Sequence, residues 1–164
     1  MALDILGVSE GDYVLVQSFT FCASVNRIEY LGATPLFIDS EQDSWNMFPE
    51  ALEQAFLHFS SNGTIDKVKA IIPVHLYGVP ARMHEIMRLA DKYCIPVIED
   101  AAESLGATLN NKHTGTFGEF GVYSFNGNKI ITTSGGGALI SNNSEKIQLA
   151  RKLATQARDD APHY

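Results

Sequence analysis

Lys129 lies in the segment Tyr123-Ser124-Phe125-Asn126-Gly127-Asn128-Lys129, which leaves an apolar strand and leads into Ser134-Gly135-Gly136-Gly137. Upstream, Ile95-Pro96-Val97-Ile98 delivers Glu99-Asp100-Ala101-Ala102 at its carboxyl end. A lysine amine can hold an aldehyde as a Schiff base, and a strand-end carboxylate can keep a pyridine nitrogen protonated. With that nitrogen held positive, the ring becomes an electron sink for a carbanion at an amino-bearing carbon. These are the working groups of pyridoxal 5′-phosphate (PLP) chemistry.

Each residue also has a plainer reading. Asp100 can serve as a helix N-cap or in an ion pair, because an unpaired buried charge is expensive. Lys129 can be a solvated loop lysine, whereas a Schiff-base role needs partial desolvation so that the amine is neutral near pH 7. Ser124 offers a hydroxyl suited to a phosphate oxygen, or is simply a strand-end serine. The run Gly135-Gly136-Gly137 allows close backbone approach to a ligand, but it matches neither a dinucleotide nor a P-loop fingerprint. Phe21, after Ser18-Phe19-Thr20, can stack on a planar ring; Phe19 competes for that role, and core packing accounts for either. His75, in Val74-His75-Leu76-Tyr77-Gly78, reads as a hydrogen-bonded rather than a catalytic histidine. No Cys and His grouping has metal-ligand spacing, so no metal site is expected.

The elements that must position these groups alternate between strand and helix. Strands are expected at 13–17, 35–38, 68–74 and 95–98, and helices at 23–31, from Pro49 through Phe59, and at 81–93. The run Val68 to Val74 is continuously apolar, as in a sheet covered on both faces. A hairpin follows at 106–112, with Asn110-Asn111-Lys112 as its turn, then strands at 121–125 and 137–141. A last helix is expected from about Ser144, as N-cap, to Arg158. This pattern predicts an α/β, three-layer domain with a mainly parallel sheet. Ligands of such sheets bind beyond the carboxyl ends of the strands, where Phe21, Asp100 and Ser124 fall.

Composition narrows the class. The 164 residues suit one domain, and the net charge of −7 argues against a nucleic-acid partner, which would call for a basic face. Cys22 and Cys94 lie in apolar segments and are expected to be buried free thiols. No apolar run approaches the roughly 18 residues of a membrane span, and no signal peptide opens the chain, so a cytoplasmic location without membrane contact is expected. Met1 to Gly7 reads as the last turns of a helix with Gly7 as left-handed cap, and Ala161-Pro162-His163-Tyr164 follows a helix without a closing element. Both ends therefore suggest a piece of a longer protein.

Five ordered segments together resemble a known family. They are Ser18-Phe19-Thr20-Phe21, Tyr30-Leu31-Gly32-Ala33-Thr34-Pro35, Val74-His75-Leu76-Tyr77-Gly78, Glu99-Asp100-Ala101-Ala102-Glu103 and Ser124-Phe125-Asn126-Gly127-Asn128-Lys129. In this order they resemble the DegT/StrS family of PLP-dependent sugar aminotransferases, whose fold is that of fold-type I aminotransferases. The resemblance implies that Lys129 is the Schiff-base lysine and the acid/base, and that Asp100 pairs with the pyridine nitrogen. It implies that Phe21 stacks on the ring, Ala102 lies under it, and Ser124 binds the phosphate. Glu103 falls where the family has Gln or His beside the ring hydroxyl.

On the same resemblance, residues 1–164 are the central part of a large PLP-binding domain. The phosphate-binding turn before it and the small domain after it are absent from the chain. The implied reaction moves an amino group, from glutamate, to a nucleotide-linked keto sugar, in a full-length homodimer. A sugar dehydratase of the same family would replace the lysine with histidine, so Lys129 speaks against it. The other reading is a truncated, inactive piece with only a folding or dimerisation role.

Overall fold

The computed structural model describes residues 1–157. Its sheet is built around β1 (Tyr13–Gln17), whose Val14, Leu15 and Val16 are fully buried because helices cover both faces. β1 pairs in parallel with β2 (Thr34–Ile38) on one side and β3 (Val68–Ile72) on the other. β4 (Ile98–Asp100) follows β3 through two parallel bridges, Ile71 with Val97 and Val74 with Asp100. β7 (Phe120–Ser124) pairs in parallel with β4, and β8 (Gly137–Ile140) adds an antiparallel edge. The order is therefore β2-β1-β3-β4-β7-β8. β5 (Thr108–Leu109) and β6 (Lys112–His113) form a separate small hairpin turning at Asn110 and Asn111, both with positive φ.

The period-2 alternation of strand side chains sorts the core into two halves. Leu15 and Ile71 face α3 (Pro49–Ser61) and α4 (Met83–Tyr93), meeting Leu52, Phe56, Ile86 and Leu89. Between these helices Phe56 stacks on Tyr93 with centroids 4.4 Å apart. Val14, Val16, Ala70 and Ile72 face the other way, toward Leu3 of α1 (Ala2–Ile5) and Ile28 of α2 (Ala23–Tyr30). α5 (Ser144–Ala154) packs beside α1 and β8. The result is the expected α/β fold, helices on both faces of a mainly parallel sheet.

Several boundaries differ from the sequence reading, each for a local reason. The strand expected at 95–98 runs instead from Ile98 to Asp100. Cys94 adopts a left-handed conformation at φ 56° and the Ile95 N–H bonds to the Ala90 carbonyl, so these residues still close α4. β3 ends at Ile72 because Pro73 has no N–H to give the ladder, although the Pro73 carbonyl accepts from Asp100. Asn143, not Ser144, caps α5, its side chain accepting the Lys146 N–H at 3.0 Å. α5 ends at Ala154, and Arg158 lies outside the described residues. Cys22 and Cys94 are exposed rather than buried, since they occupy the two ends of helices, the N-cap of α2 and the C-cap of α4.

Among the described residues no helix is long and apolar enough to cross a membrane, and no group of three His, Cys, Asp or Glu could hold a metal ion.

Candidate active site

The carboxyl ends of β1, β3, β4 and β7 enclose a cavity of about 680 Å³. The six residues that the resemblance assigns to the cofactor all line it, namely Phe21, Asp100, Ala102, Glu103, Ser124 and Lys129, whereas His75 and the run Gly135-Gly136-Gly137 do not. Parallel strands produce this convergence, because the loops that leave them emerge on one side of the sheet.

Asp100 is the most firmly held. Its backbone N–H donates to the Pro73 carbonyl at 2.9 Å, and its carbonyl accepts from the His75 N–H at 3.0 Å. Oδ1 accepts the Ala102 N–H at 3.1 Å, and Oδ2 accepts the Ser24 hydroxyl at 2.6 Å. A carboxylate has about four lone-pair sites, so capacity remains for a further donor from the cavity. Lys129 enters from the loop after β7, its Nζ 3.5 Å from Glu103 Oε1. The other oxygen of Glu103 accepts the Tyr77 N–H at 2.8 Å. Tyr77 makes that contact at φ 50°, an uncommon conformation for a bulky residue, and its ring is exposed beside the cavity. Ser124 Oγ accepts the Asn126 N–H at 3.3 Å. Phe19 and Phe21 both line the cavity, but Phe19 packs edge-on against Trp45 at 5.7 Å. Phe21 is 76% exposed and makes no ring contact among the described residues, which leaves its face free.

Behind this cavity lies a second, closed network. Glu99 is fully buried, and its Oε1 accepts the N–H groups of Phe117 (2.6 Å) and Gly118 (2.7 Å). Oε2 accepts the Gly115 N–H at 2.8 Å and lies 3.0 Å from His75 Nε2. His75 Nδ1 accepts the Ala81 N–H, so the ring proton sits on Nε2 and is donated to Glu99. His75 is thus the hydrogen-bonded histidine expected from its segment. The loop held by Glu99 packs so tightly on β7 that a Cβ at Gly121 would come within 2.0 Å of the Gly115 carbonyl oxygen. Burial raises the Tyr123 phenol above its ordinary value, and the nearby Glu99 charge adds to the effect. The hydroxyl donates to the Thr114 carbonyl of the same loop.

The sequence reading missed Ser24, Thr20, Tyr77 and the closed role of Glu99. One signal was available for Ser24: the first turn of a helix that follows a strand of a parallel sheet faces the ligand crevice. Nothing local announces that Tyr77 turns its N–H toward Glu103.

Comparison with known proteins adds to this geometry. The family model described as the DegT/DnrJ/EryC1/StrS aminotransferase family matches residues 1–163. The chain is 58% identical over 164 residues to EpsN of Bacillus subtilis (strain 168), a protein whose name assigns it provisionally to the PLP-dependent aminotransferases. That match covers 100% of this chain and 42% of the relative. A GDP-perosamine synthase of Escherichia coli O157:H7 is 46% identical over 142 residues, 87% of this chain and 37% of that one. Among solved structures, a DegT DnrJ EryC1 StrS aminotransferase from Brucella abortus superposes with a TM-score of 0.91 at 34% identity, covering 99% of this chain and 43% of that one. The chain spans about two-fifths of the length of the curated relatives it matches.

Proposed function

The chain belongs to the DegT/DnrJ/EryC1/StrS aminotransferase family, and from that premise we propose that its protein is a PLP-dependent sugar aminotransferase. The amino group comes from an amino acid, glutamate, and goes to the keto group of a nucleotide-linked sugar. The observation that carries this reading is the meeting of Lys129, Asp100, Ser124 and Phe21 around one cavity.

The residues fit the cofactor by the chemistry of their donors. The cavity, at about 680 Å³, is within the range of sites for cofactor-sized ligands. It presents an amine, a carboxylate with both oxygens already oriented, a hydroxyl and a free aromatic face. Bound there, PLP supplies the electron sink that stabilises negative charge on the donor's amino-bearing carbon. Lys129 Nζ anchors the cofactor and moves the proton at that carbon. Asp100 holds the proton on the ring nitrogen. Phe21 would stack on the cofactor ring and exclude water, and the small Ala102 would leave room for it. Ser124 binds the phosphate, while Glu103 orients Lys129.

Residues 1–164 are, on this reading, the central part of a larger PLP-binding domain in a cytoplasmic homodimer, and alone they are inactive. The test is borohydride reduction of the full-length protein after addition of PLP, with mapping of the labelled peptide, beside the same treatment of the 164 residues alone. A label on Lys129 of the full-length protein is expected, with no glutamate-dependent conversion of PLP by the short chain. A label confined to another lysine removes Lys129 from the mechanism.

A further inference from the structure

Ser24 and Asp100 are 76 residues apart in the chain, yet a single hydroxyl joins their elements. Ser24 is the second residue of α2, where a serine commonly turns its hydroxyl back onto its own helix. Here it does not. Its Oγ reaches across to β4 and donates to Asp100 Oδ2 at 2.6 Å.

The direction of the chain of hydrogen bonds follows from proton count. A hydroxyl carries one proton and an ionised carboxylate only accepts, so Ser24 gives its proton to the bond with Asp100. The 2.8 Å contact between Thr20 Oγ1 and Ser24 Oγ must then be donated by Thr20. The path runs Thr20 to Ser24 to Asp100. Thr20 and Ser24 also bracket Phe21, and the Ser24 N–H bonds to the Phe21 carbonyl at 3.1 Å. Asp100's other side-chain bond, from the Ala102 N–H, comes from its own turn and ties it to nothing else.

We infer that Ser24, backed by Thr20, is a positioning residue that aims the Asp100 carboxylate into the cavity and keeps it in register with the Phe21 ring. This rests on the reading of Asp100 as partner of the cofactor's ring nitrogen. Ser24 itself lines the cavity, and in this role it acts through Asp100. It removes the carboxylate's freedom to rotate away, through a charge-assisted bond stronger than one between neutral groups.

The experiment uses the full-length protein with Ser24→Ala, Ser24→Thr and Asp100→Asn, and reads three quantities. They are the PLP dissociation constant, the visible absorption band of the bound cofactor, and the melting temperature without cofactor. Loss of one bond to a charged group corresponds to about a ten- to hundredfold weaker PLP affinity in Ser24→Ala. Its band should move in the direction seen for Asp100→Asn, beyond any fall in cofactor-free melting temperature that the lost bond itself brings. Ser24→Thr, which keeps the donor, should restore both affinity and band. If Asp100→Asn changes affinity and band while Ser24→Ala leaves them as in the parent, the positioning role is overturned and the reading of Asp100 stands. The positioning role is likewise overturned if Ser24→Thr is folded yet as impaired as Ser24→Ala, or if Ser24→Ala lowers only the melting temperature. If Asp100→Asn changes neither quantity, the reading of Asp100 fails and this inference fails with it.

Discussion

Glu99 and Asp100 are neighbours on β4, and the pleat sends them to opposite faces of the sheet. Glu99 is sealed: four donors from His75 and the 115–118 loop fill both its oxygens, and no solvent reaches it. Asp100 is open. Two donors fix its orientation, and its remaining lone pairs belong to the cavity. The same functional group thus serves as a structural clamp on one face and as a poised acceptor on the other. What separates the roles is the number of protein donors around each, since a carboxylate can bind a ligand only with capacity that the fold has not used.

That contrast breaks apart most sharply at Asp100. Asp100→Asn in the full-length protein removes the charge proposed to hold a proton on the ring nitrogen, while leaving an oxygen for one of the two local donors. Turnover should fall on the order of a thousandfold, as for other preorganised electrostatic contacts, with little loss of stability. Steady-state rates beside a thermal melt decide the matter. Near-normal turnover would place Asp100 outside the chemistry and make both carboxylates of β4 structural.

Glu99→Gln should give the opposite signature. Whichever way the amide is turned, its NH₂ must face either the Phe117 and Gly118 N–H groups or the Gly115 N–H and His75 Nε2–H. Changing the histidine tautomer offers no escape, because Nδ1 is already needed as acceptor for Ala81. Two donors are left opposing donors in a fully buried place, which should cost about 3–5 kcal/mol of stability. The measurement is the denaturant midpoint, with turnover counted per folded molecule. An unchanged midpoint would mean that the closed network contributes nothing that the loop does not have without it.

These two carboxylates also mark what was legible in the sequence. The convergence of Asp100, Ser124 and Lys129 on one cavity was legible because parallel strands bring their carboxyl ends to one side of the sheet, and the ordered segments carried the family resemblance. Helices α3 and α4 were legible because Leu52, Phe56, Ile86 and Ala90 repeat at helical spacing. The Ser24 bond was not legible, since its partners are 76 residues apart and meet only when parallel bridges set β4 beside the β1–β3 strands. Glu99 was hidden for a related reason: three of its donors are backbone N–H groups of a loop, and backbone groups leave no trace in residue type. Cys22 and Cys94 were misplaced because apolar flanks say nothing about whether a residue sits inside a helix or at its exposed end.

A third carboxylate tests the rule where the effect is smallest. Glu41 is buried within a short loop, its oxygens accepting the Asp43 and Ser44 N–H groups at 2.7 Å and the Ser44 hydroxyl. The Ser44 hydroxyl holds this carboxyl below the ordinary value of 4.5; burial opposes the shift, and the backbone N–H groups of Asp43, Ser44 and Asn46 reinforce it. A carboxylate whose value is lowered on folding stabilises the fold fully above its unfolded value. That contribution is lost as pH falls through the lower folded value. The loop it secures carries Trp45, the chain's single tryptophan, at φ 63° and edge-on to Phe19 at the cavity wall. Emission from Trp45, isolated by subtracting that of a Trp45→Phe variant, should therefore be constant above pH 4.5 and change as the pH drops below it. Glu41→Gln should show the acid-state emission at neutral pH and little further change on acidification. If both proteins share one pH profile, Glu41 is not what holds the loop, and donor count alone does not decide what a carboxylate does in this fold.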